Sequence, residues 1–305
     1  MPEPKVAVVT DTTAYLPAEM LEANELHLVS LYVNWEDGRS ERESEILDYD
    51  AFYERLRTAE QLPTTSQPSI GDFLAVYEPL LASGRQVVSV HISGGLSGTV
   101  ESARQARERL GDRAAGSVVV LDSKTGCGGL GLMALAAAGA ASGEAGLEEV
   151  AERAVAARRG LKMWFAVDTL EYLRKGGRIG AASAWLGTAL KVKPILSVDS
   201  EITPIERVRT GARALARLGD YANERHQDGA DGWVVQHIQA HDEAVALAES
   251  TQELMGRPPV WISEIGPVIG AHIGPGLLGI GAIPLHHLER VATVAGSLSG
   301  RAAEL

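Results

Sequence analysis

Several things that would announce a function are scarce in this chain. There is one cysteine, Cys127, in 305 residues. No internal disulfide is possible, so a reducing compartment is the simplest expectation. Set in an alanine- and glycine-rich stretch, that thiol reads first as a small apolar residue and only second as a nucleophile. Basic residues are outnumbered, 28 Lys and Arg against 40 Asp and Glu, for a formal net charge of -12. Without a basic stripe to offset the acidic surface, nucleic acid is not an expected partner. Long apolar runs are missing too. The stretch "GGLGLMALAAAGAAS" is shorter than the ~20 residues that span a bilayer, and it reads as a buried helix. The start, "MPEPKVAVVTDTT", lacks the basic segment and apolar core of a secretory signal. The expectation is a cytoplasmic protein with no membrane segment. Aromatics are only 5% of residues, which suits an aliphatic core and an aliphatic-lined tunnel equally.

Familiar catalytic motifs are absent as well. Around Ser97 the chain reads "GLSGT", so the second glycine of a G-x-S-x-G elbow comes one residue early. "KTG" at Lys124 occurs without any S-x-x-K. "GPGLLG" at Gly274 matches G-x-G-x-x-G, but Pro284 follows too soon for the required helix. "GLGLMA" at Gly129 opens a helix, yet no acidic residue ends a strand about twenty residues on. No Walker A sequence exists. His237 and His241 are four apart, but the first sits in an apparent strand with no glutamate between them, so HExxH chemistry is not expected. His286 and His287 read as solvated or packed. No metal and no cofactor is expected.

What is present is alternation. "VAVVTD", "HLVSLYVNW", "QVVSVHI", "GSVVVLD" and "LKMWFAV" read as apolar strands. Between them lie helical stretches such as "DYDAFYERLR", capped by Asp48, and "GLEEVAERAVAARRG". Such alternation implies a parallel sheet with helices on both faces. Later the pattern changes. "KPILSVDSEITPIERVR" reads as an antiparallel hairpin, followed by helix, strand, helix and strand. The expected fold is therefore α/β, with two packed α/β domains. The first, 1–165, has a mainly parallel sheet, and the second, 166–305, a mixed or antiparallel one.

Ligands in open parallel sheets bind at the carboxyl ends of strands. Polar loops stand at three such ends: "TDTT", "SGGLSGT" and "DSKTGCGG". A fourth, "PTTSQPS", precedes a helix, with Ser69 as N-cap. These loops offer hydroxyls and backbone N–H groups but few charges, chemistry suited to an oxyanion such as a carboxylate or phosphate. Three uses fit: holding an acid, a serine acyl hydrolase or transferase built on Ser97, or a sensor of small phosphorylated molecules. Near the end, "EIGPVIGAHIGPGLLGIGAIP" carries one polar side chain after Glu264, His272, with glycines around it that permit close approach.

Taken together, "TDTTAYLP", "PTTSQPS", "SGGLSGTVESA", "DSKTGCGGLG", "LRKGGRIG", "LKVKPILSVD", "ERVRTGARAL" and "GAHIGPGLLG" resemble the DegV family, in order and over nearly the whole chain. The resemblance implies a non-catalytic lipid-binding protein that buries a long-chain fatty acid. It also implies a role as the lipid-carrying subunit of a bacterial fatty-acid kinase, serving phospholipid metabolism. The carboxyl group would meet Thr65, Ser97 and His272, with Ser93 a weaker candidate. An ATP-dependent kinase partner would phosphorylate that group, because nothing here would hold ATP. The partner's docking surface would carry Arg209, Arg174, Lys175 and Arg178. "AASAWLGTAL" (Ala181 to Leu190), with an apolar face at Ala182, Trp185, Leu186 and Ala189, is expected to cover the tail and move to admit it.

Overall fold

In the computed structural model, residues 5–186 and 192–293 are described. The chain begins with β1 (Val6–Asp11), α1 (Ala18–Ala23) and β2 (Leu26–Val29). Then come β3 (Tyr32–Asn34), β4 (Ser40–Arg42), α2 (Tyr49–Thr58), β5 (Thr64–Ser66) and α3 (Ile70–Ala82). β6 (Gln86–His91), α4 (Thr99–Arg109), β7 (Val118–Asp122), α5 (Cys127–Ser142) and α6 (Leu147–Gly160) complete the first half. The second half runs β8 (Lys162–Ala166), α7 (Glu171–Lys175), β9 (Lys193–Asp199), β10 (Glu201–Val208), α8 (Gly211–Gln227) and β11 (Gly232–His237). It ends with α9 (His241–Met255), β12 (Ile262–Glu264), α10 (Pro267–Ile273) and β13 (Leu278–Ile283).

The expected architecture is present. One sheet has the order β2-β1-β6-β7, and all its pairs are parallel. The other has the order β10-β9-β8-β13-β11-β12 and is mixed, antiparallel except where β11 meets β12. The hairpin read from "KPILSVDSEITPIERVR" is β9–β10, turning at Ser200 with φ +65°. Asp48 caps α2, and Ser69 forms a capping box with Asp72 on α3. Since β8 pairs with β9 and β13, we propose that the two units divide ahead of Lys162 rather than at residue 165.

Two local readings change. "HLVSLYVNW" is two strands, not one. The chain breaks at Ser30, whose hydroxyl donates to the Leu31 carbonyl and accepts from the Ser44 N–H. β2 then joins the parallel sheet, while β3 pairs antiparallel with β4 and β5 in a small third sheet. "PTTSQPS" is also more than a loop, because β5 lies within it.

α5 is the hinge of the packing. It is apolar all round, and 13 of its residues are buried. One side packs on β1 and β6, the other on β11 and β13. Gly128 makes the second contact possible, since a Cβ there would lie 2.7 Å from Val234 Cγ2. No helix among the described residues is long and apolar enough to cross a membrane.

Candidate functional site

The "TDTT" and "SGGLSGT" loops leave the parallel sheet side by side, at the ends of β1 and β6. Asp11 fastens them together. Its carboxylate accepts from the Ile92 N–H at 3.0 Å and the Thr13 N–H at 3.1 Å, and it pairs with His91 Nδ1 at 3.0 Å. His91 Nε2 meets Ser89 Oγ at 2.6 Å, and the Tyr77 hydroxyl donates to that same oxygen at 2.7 Å. The order Ser–His–Asp resembles a hydrolase triad. Ser89, His91 and Asp11 are all fully buried, however, and none of them lines either of the two cavities described below. The network ties strand ends.

Ser97 therefore has no base from His91. Its Oγ bonds the Thr99 Oγ1 at 2.8 Å and accepts from the Thr99 N–H at 3.3 Å. It opens instead onto a cavity, together with Thr65, Gln67, Arg178 and His272. Thr65 comes from β5, at the position opposite Val33 of β3. His272 comes from α10, and its Nε2 lies 2.7 Å from Thr65 Oγ1. The structure thus brings Thr65, Ser97 and His272 into one cavity. Burial, and next the Arg178 guanidinium, push His272 down to about 4, with the Gly176 backbone acting the other way. The ring is neutral at physiological pH. A neutral imidazole, two hydroxyls, an amide and one guanidinium can receive an anion without a metal.

Ser93 stands apart. Buried, it donates to the Ser200 carbonyl at 2.5 Å and accepts from the Gly95 N–H at 3.2 Å. It clamps the glycine loop to the β9–β10 turn, whose Ser200 N–H donates to the Lys124 carbonyl at 2.9 Å. The basic candidates divide as well. Arg178 is exposed on the cavity rim, donating to the Gly176 carbonyl at 2.8 Å. Arg174 pairs with Glu171 of its own helix at 2.7 Å, and Lys175 and Arg209 are exposed. Of Ala181 to Leu190, residues 181–186 are described; a 3-10 helix spans Gly180–Trp185, with Ala182 buried, and Leu186 after it is extended. Residues 187–190, including Ala189, lie outside the described residues.

α10 has a built seat. Its first free N–H groups go to side chains of the other unit: Val268 N–H to Glu43 Oε1 at 2.8 Å, and Ile269 N–H to the Tyr15 hydroxyl at 3.2 Å. The Tyr15 hydroxyl also donates to Glu43 Oε1 at 2.8 Å, and Thr12 donates to Oε2 at 2.5 Å. The Tyr53 hydroxyl donates to the Ile265 carbonyl at 2.6 Å. Gly266 makes room for Tyr49, since a Cβ there would sit 2.6 Å from its hydroxyl oxygen. Gly270 and Gly176 do the same for the Tyr53 hydroxyl and for the His272 ring. Burial pushes Glu43 up to about 7, against the hydrogen bonds from Thr12, Val268 and Tyr15 that hold it down.

Sequence reasoning missed Glu43, Gln67 and Gly176 as site residues. Glu43 lies in the acidic run "SERESEILD", which matches no motif. Gln67 was inside a noticed motif but carries no charge. Gly176 needs no left-handed backbone, so only its distant neighbour gives it meaning.

A second cavity continues from the first, sharing Ile92, Leu96, Ile202, Ile269 and Ile273, and runs against the mixed sheet. Its walls are almost wholly apolar. Gln236, its one amide, is already engaged, accepting from the Gly128 N–H and donating to Ser263 Oγ. Cys127 lines it too, and burial pushes its thiol up, away from the thiolate form. The His237–His241 rings meet edge-on at 5.6 Å between centres, and the His286–His287 rings are tilted at 4.1 Å. No group of three metal-ligating side chains occurs among the described residues.

A family model described as "Uncharacterised protein, DegV family" matches residues 5–285. Protein DegV of Bacillus subtilis (strain 168) is 38% identical over 282 residues, which cover 90% of this chain and 98% of that protein. The crystal structure of DegV from Bacillus subtilis, described as a fatty acid binding protein, superposes with a TM-score of 0.83 at 36% identity. It covers 92% of this chain and 100% of that one. A DegV family protein from Thermus thermophilus, described by its fatty acid binding, gives 0.82 at 34% identity, covering 92% of this chain and 99% of that one.

Proposed function

Because this chain belongs to the DegV family, we propose that it binds one long-chain fatty acid. The carboxylate lies among Thr65, Ser97 and His272, and the tail lies in the apolar cavity. The observation that carries this reading is the continuity of a cavity that carries polar groups with an almost wholly apolar one, through five shared isoleucine and leucine side chains. Two relatives above 30% identity are described as binding fatty acids. Affinity comes mainly from the tail, at ~0.8 kcal/mol per buried methylene, on the order of 10 kcal/mol for a sixteen-carbon acid before entropy costs. Ser93, clamped to Ser200, holds the loop that carries Ser97.

Ser97 as an acyl-enzyme nucleophile is disfavoured by its side-chain partner among the described residues, a threonine. The thoroughly apolar second cavity argues against a phosphate sensor. Native mass spectrometry of the purified chain tests the reading, with a co-purified fatty acid as the expected result. Thr65→Ala, Ser97→Ala and His272→Ala combined should weaken binding by about a thousandfold or more, as three hydrogen bonds to a charged group, each worth ~1.5 kcal/mol or more, are lost. Undiminished affinity in that triple variant refutes the head-group assignment.

The finer reading is that the acid is held for a partner. An ATP-dependent kinase subunit would phosphorylate the carboxyl group, reaching it past Arg178 on the rim, with Arg209, Arg174 and Lys175 on the docking face. The Arg178 guanidinium at the rim suits the growing negative charge of an acyl phosphate. Lys175→Glu with Arg209→Glu should leave fatty-acid affinity unchanged and slow acyl-phosphate formation by the partner and ATP. An unchanged coupled rate removes these two residues from the docking face. Acyl phosphate made by the isolated chain would make it an enzyme after all.

A further inference from the structure

The floor of the apolar cavity is a strand with one blank face. In "LGIGAI", residues Leu278, Ile280 and Ala282 of β13 point into the core under the mixed sheet, packed with Trp233 and Val235. The opposite face carries Gly279 and Gly281, since side chains alternate along a strand. The register sets each glycine between side chains of the two neighbouring strands. Gly279 lies between Phe165 of β8 and Gln236 of β11, and Gly281 between Met163 and Val234. All six line the apolar cavity. The result is a trough with glycine along its floor and side chains along both banks.

Neither glycine has the positive φ that would demand it. A Cβ at Gly281 would lie 3.3 Å from Met163 Cβ and 3.9 Å from Val234 Cγ2. One at Gly279 would lie 3.2 Å from Phe165 Cβ. These neighbours need give only slightly. Glycine also weakens a strand interior, so backbone and packing alone do not account for two of them here. The space they leave does.

The trough has a direction. α10 ends at Ile273, which lines both cavities, and the chain then passes Leu277 into β13. Gly279 is thus nearer the head group, and Gly281 lies two residues, ~7 Å, further along. The flanks of both glycines (Phe165, Gln236, Met163 and Val234) touch only the second cavity, so it is the order along β13, leading away from Ile273 and Leu277, that sets the depth. Resting on the fatty-acid reading above, we infer that Gly279 and Gly281 set the longest acyl chain this protein accepts, with Gly281 marking the deeper limit. A side chain at Gly281 blocks the end of the tail, and one at Gly279 blocks it earlier.

The test measures affinity for saturated acids from decanoic to octadecanoic acid with wild type, Gly281→Ala, Gly281→Val and Gly279→Val. Gly281→Val should lose octadecanoic acid by on the order of tenfold to a hundredfold, the loss of two or three methylene contacts, while keeping decanoic acid. Gly281→Ala should shift the profile the same way but less. Gly279→Val should cut off at a shorter chain than Gly281→Val. Retained decanoic-acid binding shows that fold and head-group site are intact. A profile unchanged in length, or equal loss of short and long acids in both Gly281 variants, overturns the inference. Wild type that binds no acid of any length sinks the fatty-acid reading itself, a distinguishable result.

Discussion

Gly176→Ala should disable the carboxylate site while leaving the tail cavity intact. The glycine ends α7 with φ -76°, a conformation any residue adopts, so the backbone raises no objection. The obstacle is His272. A Cβ at 176 would overlap its Nδ1 and would also lie 3.1 Å from the Tyr172 carbonyl oxygen. The ring cannot retreat with its helix, because α10 is pinned by Glu43, Tyr15 and Tyr53. It must turn, and the 2.7 Å contact with Thr65 is lost. Fatty-acid affinity should fall by about tenfold or more, with an overpacking cost of ~1–3 kcal/mol in stability. Adding His272→Ala to Gly176→Ala should restore stability without restoring affinity, measured by urea unfolding and fatty-acid titration. If Gly176→Ala alone binds normally, the ring has another resting place and the steric argument fails.

Glu43→Ala should be the most destabilising of the single changes considered. It strips an acceptor from the Val268 N–H, the Tyr15 hydroxyl and the Thr12 hydroxyl at once. Each buried donor left unpaired costs ~1–3 kcal/mol, so a loss of about 3 kcal/mol or more is expected. Glu43→Gln keeps an acceptor and should be far milder. The two variants also separate the charge from the contacts. Burial raises Glu43 from 4.5 to about 7, with Asp11 adding to the push. Tyr15, Tyr49 and Cys127 around it are themselves raised, and stay neutral at these pH values. A carboxyl whose folded pKa is raised binds its proton more tightly folded than unfolded. Its contribution is most favourable below about pH 4.5 and declines as pH climbs through about 7, a change of ~3 kcal/mol. Wild type minus Glu43→Gln, from urea midpoints at intervals between pH 5 and 8, should show that decline. A flat difference would mean that Glu43 keeps an ordinary pKa.

The sheets, the long helices and the loops of the site were legible because each has a local signature. Apolar runs, a cap such as Asp48 or Ser69, and glycine-rich turns after strands all speak within a few residues. α5 was legible as buried from its alanines and glycines alone. The break at Ser30 was not, because its cause is a pair of hydrogen bonds, one to a residue fourteen positions later. Glu43 carries no local signal, because its partners lie 28 and 225 residues away. Thr65, Ser97 and His272 came from the family pattern. Their meeting in one cavity depends on β5 joining β3, a small sheet that the sequence did not suggest. Gly176, Gly279 and Gly281 are the hardest kind to read, since what matters about them is the neighbour that a side chain would strike.

α5 bears finally on synthesis. As the ribosome releases it, only the parallel sheet exists to cover it. The strands that bury its other side end at Ile283, roughly 140 residues later. At ~5–20 residues per second, that face stays uncovered for on the order of ten seconds. During that interval a nascent chain carries an alanine- and leucine-rich strip open to any apolar surface nearby. Chaperone capture should therefore concentrate on ribosome-bound chains between about residue 150 and the emergence of β13, and vanish once that strand has paired.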